Sequence, residues 1–245
     1  MRNGKKIIAT IEARMGSARL PGKVLMPLAG LPSLQRTIER LRRSKYLDDV
    51  IVATTTKTHD DDIVKLCEQN SCHYYRGSED DVLSRVLGAA NAYQGDIIVE
   101  ITGDCPLVDW RHVDYIIDLF FSGKYDYISN ATTQSFPTGF DVQIFPTSVL
   151  QEVERTTKNP KDREHVSLYI YNHPEKYRLK NWKAKGKMFL PNVWLALDTQ
   201  KDYEVLADIY EKLIHYRPDF SAEDVVDLLV RERELLEKSL RNIHL

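Results

Sequence analysis

Short apolar runs alternate with amphipathic stretches through the first half of the chain. Runs typical of buried strands lie at Lys6–Ile11, Val50–Thr54, His73–Tyr75 and Ile97–Ile101. Apolar residues at three- and four-residue spacing predict helices at Ser33–Arg43, Asp61–Gln69, Asp81–Tyr93 and Arg111–Phe121. Strands that alternate with helices are typical of a parallel sheet with crossover helices. We therefore expect an α/β fold, a Rossmann-like three-layer arrangement around a mostly parallel sheet.

The pattern changes in the second half. Residues 129–190 are rich in turns and short strands, and we expect them to form an insertion within a single domain that spans residues 1–245. This insertion is expected to bind a second substrate or to contact another subunit. The sheet pattern returns at Val193–Leu197, and helices predicted at Tyr203–Tyr216 and Ala222–Leu240 are expected to cover the sheet.

Composition narrows the classes of function. The net charge of −2 argues against a nucleic-acid-binding protein, which needs a basic surplus. No apolar run approaches the 18 residues of a membrane span, and the run near the start is too short for the core of a signal peptide. Three cysteines without metal-like spacing indicate reduced thiols, so we expect a cytoplasmic protein.

A basic, glycine-containing loop directly follows the first strand. Gly16 and Gly22 allow the backbone to turn and to approach a ligand closely, while Ser17 and backbone N–H groups can donate hydrogen bonds. Three cations so close in sequence repel one another unless an anion lies between them, and they are Arg14, Arg19 and Lys23. The loop matches neither of the common glycine-rich phosphate motifs. Its own composition predicts a site for a nucleoside triphosphate.

Two acidic residues each follow an apolar run that predicts a strand. Asp104 comes after the run that ends at Ile101, and Asp198 comes after Val193–Leu197. Mg²⁺ prefers carboxylate oxygens together with substrate phosphates, so we expect Asp104 and Asp198 to share one metal ion. Asp202 and the cluster His59–Asp62 precede helices and are better interpreted as capping groups.

Other charged positions are candidates for substrate recognition. Arg76 leaves the third strand at the ligand edge of the sheet, where its planar guanidinium can reach a nucleobase carbonyl or a phosphate. In the insertion, two groups mix charge with turn geometry, and they contain Gly139, Asp141, Glu164 and His165. We expect these four residues to contact the second substrate, although packing explains His165 equally well.

Four segments together resemble one enzyme family. They are Arg14-Met-Gly-Ser-Ala-Arg-Leu-Pro-Gly-Lys-Val-Leu25, Thr102-Gly-Asp-Cys-Pro-Leu107, Asp162-Arg-Glu-His-Val166 and Leu197-Asp-Thr199. In this order they resemble the cytidylyltransferases that activate acidic sugars, such as the CMP-Kdo and CMP-acylneuraminate synthetases. The form of the first segment is most similar to the spore coat polysaccharide biosynthesis branch.

The resemblance implies a nucleotidyltransferase fold, a homodimer, and a Mg²⁺-dependent reaction that joins CTP to a sugar acid and releases pyrophosphate. It implies that the backbone near Ala13 and the side chains of Arg14, Ser17, Arg19 and Lys23 hold CTP, and that Asp104 and Asp198 hold the metal. Among these, Arg14, Lys23 and Asp104 are the expected catalytic residues.

Two other interpretations stay open at this point. One is a glycosyltransferase that uses a ready-made nucleotide sugar, although Thr102–Asp104 supplies only one of the two acids of the usual D-x-D motif. The other is a nucleotide-binding protein without catalytic activity. No general base for the sugar hydroxyl stands out in the sequence.

Overall fold

The computed structural model describes residues 1–241 and is built on one seven-stranded sheet. Its strands are β1 (Ile7–Glu12), β4 (Asp49–Thr55), β5 (His73–Gly77), β6 (Ile97–Thr102), β7 (Tyr127–Ser129), β8 (Gln143–Pro146) and β9 (Leu179–Asn181). A separate two-stranded hairpin contains β2 (Pro27–Leu28) and β3 (Leu31–Pro32).

The strand order in the large sheet is β5-β4-β1-β6-β8-β7-β9. Strands β5, β4, β1 and β6 pair in parallel, β8 runs antiparallel to both β6 and β7, and β9 is parallel to β7. The carboxyl ends of β1, β4, β5 and β6 therefore meet at one edge of the sheet. The mostly parallel α/β fold expected from the sequence is confirmed.

Helices cover both faces of the sheet. Their bounds are α1 (Ser33–Leu41), α2 (Asp61–Gln69), α3 (Val82–Ala92), α4 (Trp110–Ser122), α5 (Thr147–Thr156), α6 (Pro160–Glu164), α7 (Leu168–Tyr171), α8 (Gln200–Ile214), α9 (Ala222–Arg231) and α10 (Arg233–Ser239). Apolar residues of α1, α2 and α4 form a core on one face, and those of α3, α5 and α7 form a core on the other. None of the helices in residues 1–241 has the length and apolar character needed to cross a membrane.

The predicted strand at Val193–Leu197 is wrong. This apolar segment is extended but lies outside the seven-stranded sheet, and Val193 and Trp194 form only isolated bridges with Leu240 and Thr138. It is buried because Val193, Leu195 and Leu197 pack in a core with α8 and α9, and Leu195 N–H also donates to the Thr138 carbonyl at 2.7 Å. An apolar run alone does not say whether a segment pairs with a sheet.

The carboxy-terminal helices do not cover the sheet as expected. Helices α8, α9 and α10 form a third core with residues from 136–140 and 182–197, and this core contains no residue of the seven-stranded sheet. The single helix predicted for Ala222–Leu240 is two helices, because α9 ends at Arg231 and α10 begins at Arg233. The insertion expected at residues 129–190 supplies β8 and β9 to the main sheet.

Acidic residues lie at the starts of several helices, and the predicted capping role of Asp202 is confirmed. The Asp109 carboxylate accepts a hydrogen bond from Arg111 N–H at the start of α4, and Asp202 forms a capping box with Thr199 at the start of α8. Asp61 and Asp62 lie in the first turn of α2, where a carboxylate interacts favourably with the helix dipole. Asp60 makes no capping hydrogen bond, and its role is described below.

One arginine joins the sheet layer to the third core. The side chain of Arg40 in α1 is buried, and it donates to the carbonyls of Val108 at 2.6 Å and Phe220 at 3.1 Å. Its guanidinium also lies over the Phe220 ring, with 4.5 Å between Cζ and the ring centroid. Arg40 thus fixes the loop after β6 relative to the helices that follow Asp198.

We expect Arg40→Met to lower the free energy of unfolding by about 3 kcal/mol, because it leaves buried carbonyl groups without donors. Urea unfolding of the wild type and the variant measures this difference. Arg43→Met, at an exposed position of the same segment, is the matched control and should change stability by less than about 0.5 kcal/mol. Equal stabilities for the two variants would contradict the proposed role of Arg40.

Candidate active site

The basic loop folds back on itself at the carboxyl end of β1. The carbonyl of Met15 accepts hydrogen bonds from Ser17 N–H at 2.9 Å and from Gly22 N–H at 3.0 Å. Gly22 has φ of 72°, a left-handed conformation that glycine adopts without steric cost. These hydrogen bonds hold the loop in a tight turn, which places its cations on the same side of the backbone.

A buried aspartate holds this loop in place. Asp60, at the end of the short helix before α2, is fully buried and accepts a hydrogen bond from Met15 N–H at 2.7 Å. The hydroxyl of Thr55, at the end of β4, donates to its other oxygen. The sequence predicts only a capping cluster for His59–Asp62, because an acidic residue before a helix does not indicate that it binds a distant loop.

Two carboxylates meet the cations of the loop. Asp104 follows β6, and Asp198 follows the extended segment 193–197, whose Leu197 N–H donates to the Asp104 carbonyl at 2.7 Å. Lys23 Nζ lies 3.3 Å from Asp104 Oδ2 and 3.0 Å from Asp198 Oδ1. An Arg19 guanidinium nitrogen lies 2.7 Å from Asp198 Oδ2. Residues 175 positions apart in sequence thus form one charged network.

The network borders a cavity of about 530 Å³. It lies at the carboxyl edge of the parallel strands, where ligands bind in open α/β sheets. The predicted site residues on its wall are Ala13, Arg14, Ser17, Arg19, Lys23, Asp104, Glu164, His165 and Asp198. The structure therefore brings most of the predicted site residues to one place.

Four predicted residues lie elsewhere. Gly16 is in the loop but not on the cavity wall, and a Cβ atom there would lie 3.2 Å from Glu79 Oε1. Arg76 is held away from the cavity, because its guanidinium donates to the Thr55 and Lys57 carbonyls and pairs with Asp61 at 2.7 Å.

Gly139 and Asp141 also lie off the wall. Gly139 N–H donates to Asp141 Oδ2 at 3.2 Å, and its φ of 110° suits glycine. The pKa of Asp141 is raised to about 6, mainly by burial; the hydrogen bond from Gly139 opposes this effect, and the nearby Asp104 charge adds to it.

Sequence reasoning missed part of the cavity wall. Glu12 lines it, as does Val82 at the start of α3, together with Thr102 and Arg85. Of these, Glu12 and Val82 are the residues that the sequence did not indicate. The available signal is an acidic residue at the end of an otherwise apolar strand, Glu12 in β1. Arg85 is buried and donates to the carbonyls of Ala53 and Glu79, each at 3.2 Å.

Glu12 has an unusual proton affinity. Burial raises its pKa to about 7, against the opposing effect of the Arg85 charge. Its neighbour Glu100 on β6 is 4% exposed, and burial raises the pKa of this carboxyl well above its ordinary value. The Asp104 charge is a further cause of the raised pKa of Glu12.

The donor set fits a magnesium ion. Asp104 and Asp198 place carboxylate oxygens around one point, and the Lys23 ammonium contacts both carboxylates there. Within residues 1–241, no three His, Cys, Asp or Glu side chains are grouped to hold a metal ion. Mg²⁺ is commonly bound by one or two carboxylates with substrate phosphates and water, so two carboxylates are enough.

The profile of the cytidylyltransferase family matches residues 8–223, which include the basic loop, Asp104 and Asp198. The chain belongs to this cytidylyltransferase family. The family resemblance predicted from the sequence is therefore confirmed, and so is the Rossmann-like fold.

Individual relatives agree with this assignment. The chain is 36% identical to the spore coat polysaccharide biosynthesis protein SpsF of Bacillus subtilis over 92% of this chain and 94% of SpsF. It is 34% identical to an 8-amino-3,8-dideoxy-manno-octulosonate cytidylyltransferase of Shewanella frigidimarina over 47% of each chain. The solved structure of a cytidylyltransferase from Leptospira borgpetersenii is 31% identical, with a TM-score of 0.91 over 98% of this chain and all of that one.

The raised pKa of Glu12 makes the stability of this cytidylyltransferase depend on pH. Between pH 4.5 and about 7, Glu12 is protonated in the folded state and ionised in the unfolded state. The folded state then binds more protons, so stability falls as pH rises through this window. The shift corresponds to about 3 kcal/mol.

We expect Glu12→Gln, which stays neutral, to be more stable than the wild type at pH 8.5 by up to about 3 kcal/mol, with the difference nearly gone at pH 4.5. Urea unfolding at both pH values provides the measurement. A stability difference that does not vary with pH would show that Glu12 has an ordinary pKa in the folded protein.

Proposed function

We propose that this cytidylyltransferase joins CTP to a sugar acid, giving a CMP-sugar and pyrophosphate for surface polysaccharide synthesis. The observation that carries the proposal is the convergence of Arg19, Lys23, Asp104 and Asp198 at the edge of one cavity. In the reaction, a sugar hydroxyl loses its proton to solvent and its oxygen forms a bond to the α-phosphorus of CTP. The bond from that phosphorus to the oxygen shared with the β-phosphate breaks, and pyrophosphate leaves.

The basic loop is suited to the triphosphate. Arg14, Arg19 and Lys23 line the same cavity, and their charges would offset the negative charge of the phosphates and of the departing pyrophosphate. The hydrogen bond between Asp60 and Met15 keeps the loop in one conformation, so little reorganisation is needed when the nucleotide binds.

We propose that Asp104 and Asp198 hold Mg²⁺. A bound Mg²⁺ supplies positive charge that stabilises the phosphate oxygens as charge develops on them. Lys23 lies between the two carboxylates, and we expect its ammonium to turn towards the phosphates when nucleotide and metal bind together.

The side of the cavity formed by Glu164 and His165 is our candidate for the sugar. The octulosonate in the name of the Shewanella relative is a sugar acid, which supports this substrate class. The name of SpsF supports a role in polysaccharide synthesis. We also propose that the enzyme acts in the cytoplasm as a homodimer, with residues 129–190 contributing to the subunit contact.

The proposal is tested by pyrophosphate release with Mg²⁺, comparing CTP with ATP, GTP and UTP across a panel of sugar acids. Release that requires both CTP and a sugar acid supports it. Release from UTP or ATP in preference to CTP, or no release with any nucleotide, would contradict it.

Asp104→Asn should lower kcat at least a thousandfold while the fold stays intact, because it removes a charge from the proposed metal site. Steady-state pyrophosphate release and circular dichroism test the two parts of this expectation. Asp61→Asn, at the start of α2 and away from the cavity wall, is the control and should keep wild-type kcat. Wild-type turnover by Asp104→Asn would exclude a metal role for this residue.

Lys23→Met should weaken binding of CTP more than binding of CMP, by about tenfold or more, because the outer phosphates carry most of the charge that Lys23 faces. Calorimetric titration of both nucleotides gives the two dissociation constants. The control Lys57→Met changes an exposed lysine that does not line the cavity. Equal losses for CTP and CMP would mean that Lys23 does not touch the outer phosphates.

A further inference from the structure

A buried arginine lies on the cavity wall beside the basic loop. Arg85, in the first half of α3, is 2% exposed. Its Nε donates to the Ala53 carbonyl at 3.2 Å, and the Ala13 N–H donates to the same carbonyl at 3.3 Å. Because the two donors share one acceptor, the guanidinium adjoins the point where β1 ends and the basic loop begins.

The backbone holds this guanidinium and leaves one nitrogen free. Nη1 donates to the carbonyls of Ser78 and Glu79, in the turn before α3. Nη2 makes no hydrogen bond within residues 1–241, yet it is not closed off from solvent. Because Arg85 lines the cavity, Nη2 is the nitrogen that can reach a bound molecule. The side chain therefore presents one donor group in a fixed position, and binding to it costs little ordering.

Apolar side chains flank Arg85 on the wall. Val82 lies one helical turn before Arg85 on the same face of α3, and both residues line the cavity together with Ala13. Sites for small molecules commonly combine an apolar wall with a few fixed polar groups. The face of an aromatic ring suits the apolar part of this wall, and an acceptor on the edge of the ring suits Nη2.

Arg85 and the charged network lie at different ends of the wall. Arg85 is bonded to β4, whereas Asp104 follows β6, and β1 lies between these two strands. Neighbouring strands are about 4.8 Å apart, so the two ends are separated by about 10 Å across the sheet. With its phosphates at Lys23 and Asp104, a nucleotide is long enough to extend its base to Arg85.

Other acceptors on the substrates suit Nη2 less well. The carboxylate of a sugar acid prefers two parallel donors on different nitrogens of an arginine, and Arg85 has only one nitrogen free. That carboxylate would also lie near Glu12, because Ala53, which binds Arg85, is the register partner of Glu12. The outer phosphates already have Arg19 and Lys23 at the other end of the wall.

We propose that Arg85 recognises the nucleobase of CTP, with Nη2 donating to the acceptor edge that O2 and N3 of cytosine form. This inference rests on the proposed function and adds the residue that selects the base. In uracil, N3 carries a hydrogen, so two donors would face each other. Adenine has no carbonyl oxygen to accept from Nη2. Arg85 therefore favours CTP over UTP and ATP.

The test changes one atom of the ligand. The probes are CMP and 3-deazacytidine monophosphate, in which a C–H group replaces N3. Calorimetry should show that the wild type binds CMP more tightly by about tenfold or more, because N3 accepts from a charged donor. Arg85→Met should lose about as much CMP affinity and most of this preference. Its losses for CTP and CMP should be equal, unlike those of Lys23→Met.

Two further variants separate base recognition from folding. Arg85→Lys keeps a buried cation whose three donors can serve the three carbonyls, which leaves no donor for the base, so this variant should also lose the preference. Arg42→Met removes an exposed arginine that donates to two backbone carbonyls, and it should keep wild-type binding. Circular dichroism and urea unfolding check the fold of each variant.

Four results overturn the proposal. One is equal binding of CMP and 3-deazacytidine monophosphate by the wild type, which needs no variant to fold. Another is a preference for CMP that survives in Arg85→Lys. A larger loss for CTP than for CMP assigns Arg85 to the phosphates. Unchanged nucleotide binding, with weaker binding of 3-deoxy-manno-octulosonate in the presence of CTP and without divalent metal, assigns Arg85 to the sugar acid.

The proposed function is measured separately, by pyrophosphate release with Mg²⁺. Release that requires CTP and a sugar acid, together with equal binding of the two monophosphates, keeps the cytidylyltransferase reaction and rejects base recognition by Arg85. Failure of the wild type to bind CTP rejects the proposed function and this inference with it.

Discussion

The candidate active site depends on one shared ammonium group. Lys23 Nζ lies between the carboxylates of Asp104 and Asp198, which would repel each other at this separation without a cation between them. Arg19 adds a second positive charge on the far side of Asp198. The basic loop and the two carboxylates therefore stabilise one another by their opposite charges.

Two separate parts of the fold bring the basic loop, Asp104 and Asp198 together. The parallel strands bring the loop after β1 and the turn after β6 together, and the Gly103 N–H donates to the Glu12 carbonyl at 2.9 Å. A Cβ atom at Gly103 would lie only 2.4 Å from that carbonyl oxygen, so the close approach requires glycine. The second part is the core of α8–α10, which positions the segment that ends at Asp198. Arg40 connects the two parts through carbonyl groups on each.

The parts of this architecture that follow from local pattern were predictable. Strands β1, β4, β5 and β6 and helices α1–α4 appear within two residues of their expected bounds, because periodicity of apolar residues reflects which face is buried. The basic loop and Asp104 could be found for a similar reason, since each directly follows a predicted strand.

What could not be predicted depends on contacts between distant segments. Residues 193–197 have the composition of a strand, and only the positions of Thr138 and Asp104 show that they run outside the sheet. The roles of Asp60 and Arg76 also depend on distant residues. Asp60 accepts a hydrogen bond from Met15 N–H, and the Arg76 guanidinium donates to the Thr55 and Lys57 carbonyls at the end of β4 and just after it. The surroundings of Glu12 depend on the register of β1 against β6. A local pattern carries no information on such pairings.

The position of Asp198 also sets when the site can form during synthesis. Its segment is held by α10 and the residue after it, because Trp194 N–H donates to the Ser239 carbonyl at 2.8 Å and Val193 bridges to Leu240. The strands and the basic loop leave the ribosome long before these residues do. A nascent chain can therefore complete its sheet before Asp198 reaches its position. The charged network forms only after α8–α10 have packed against the segment that ends at Asp198.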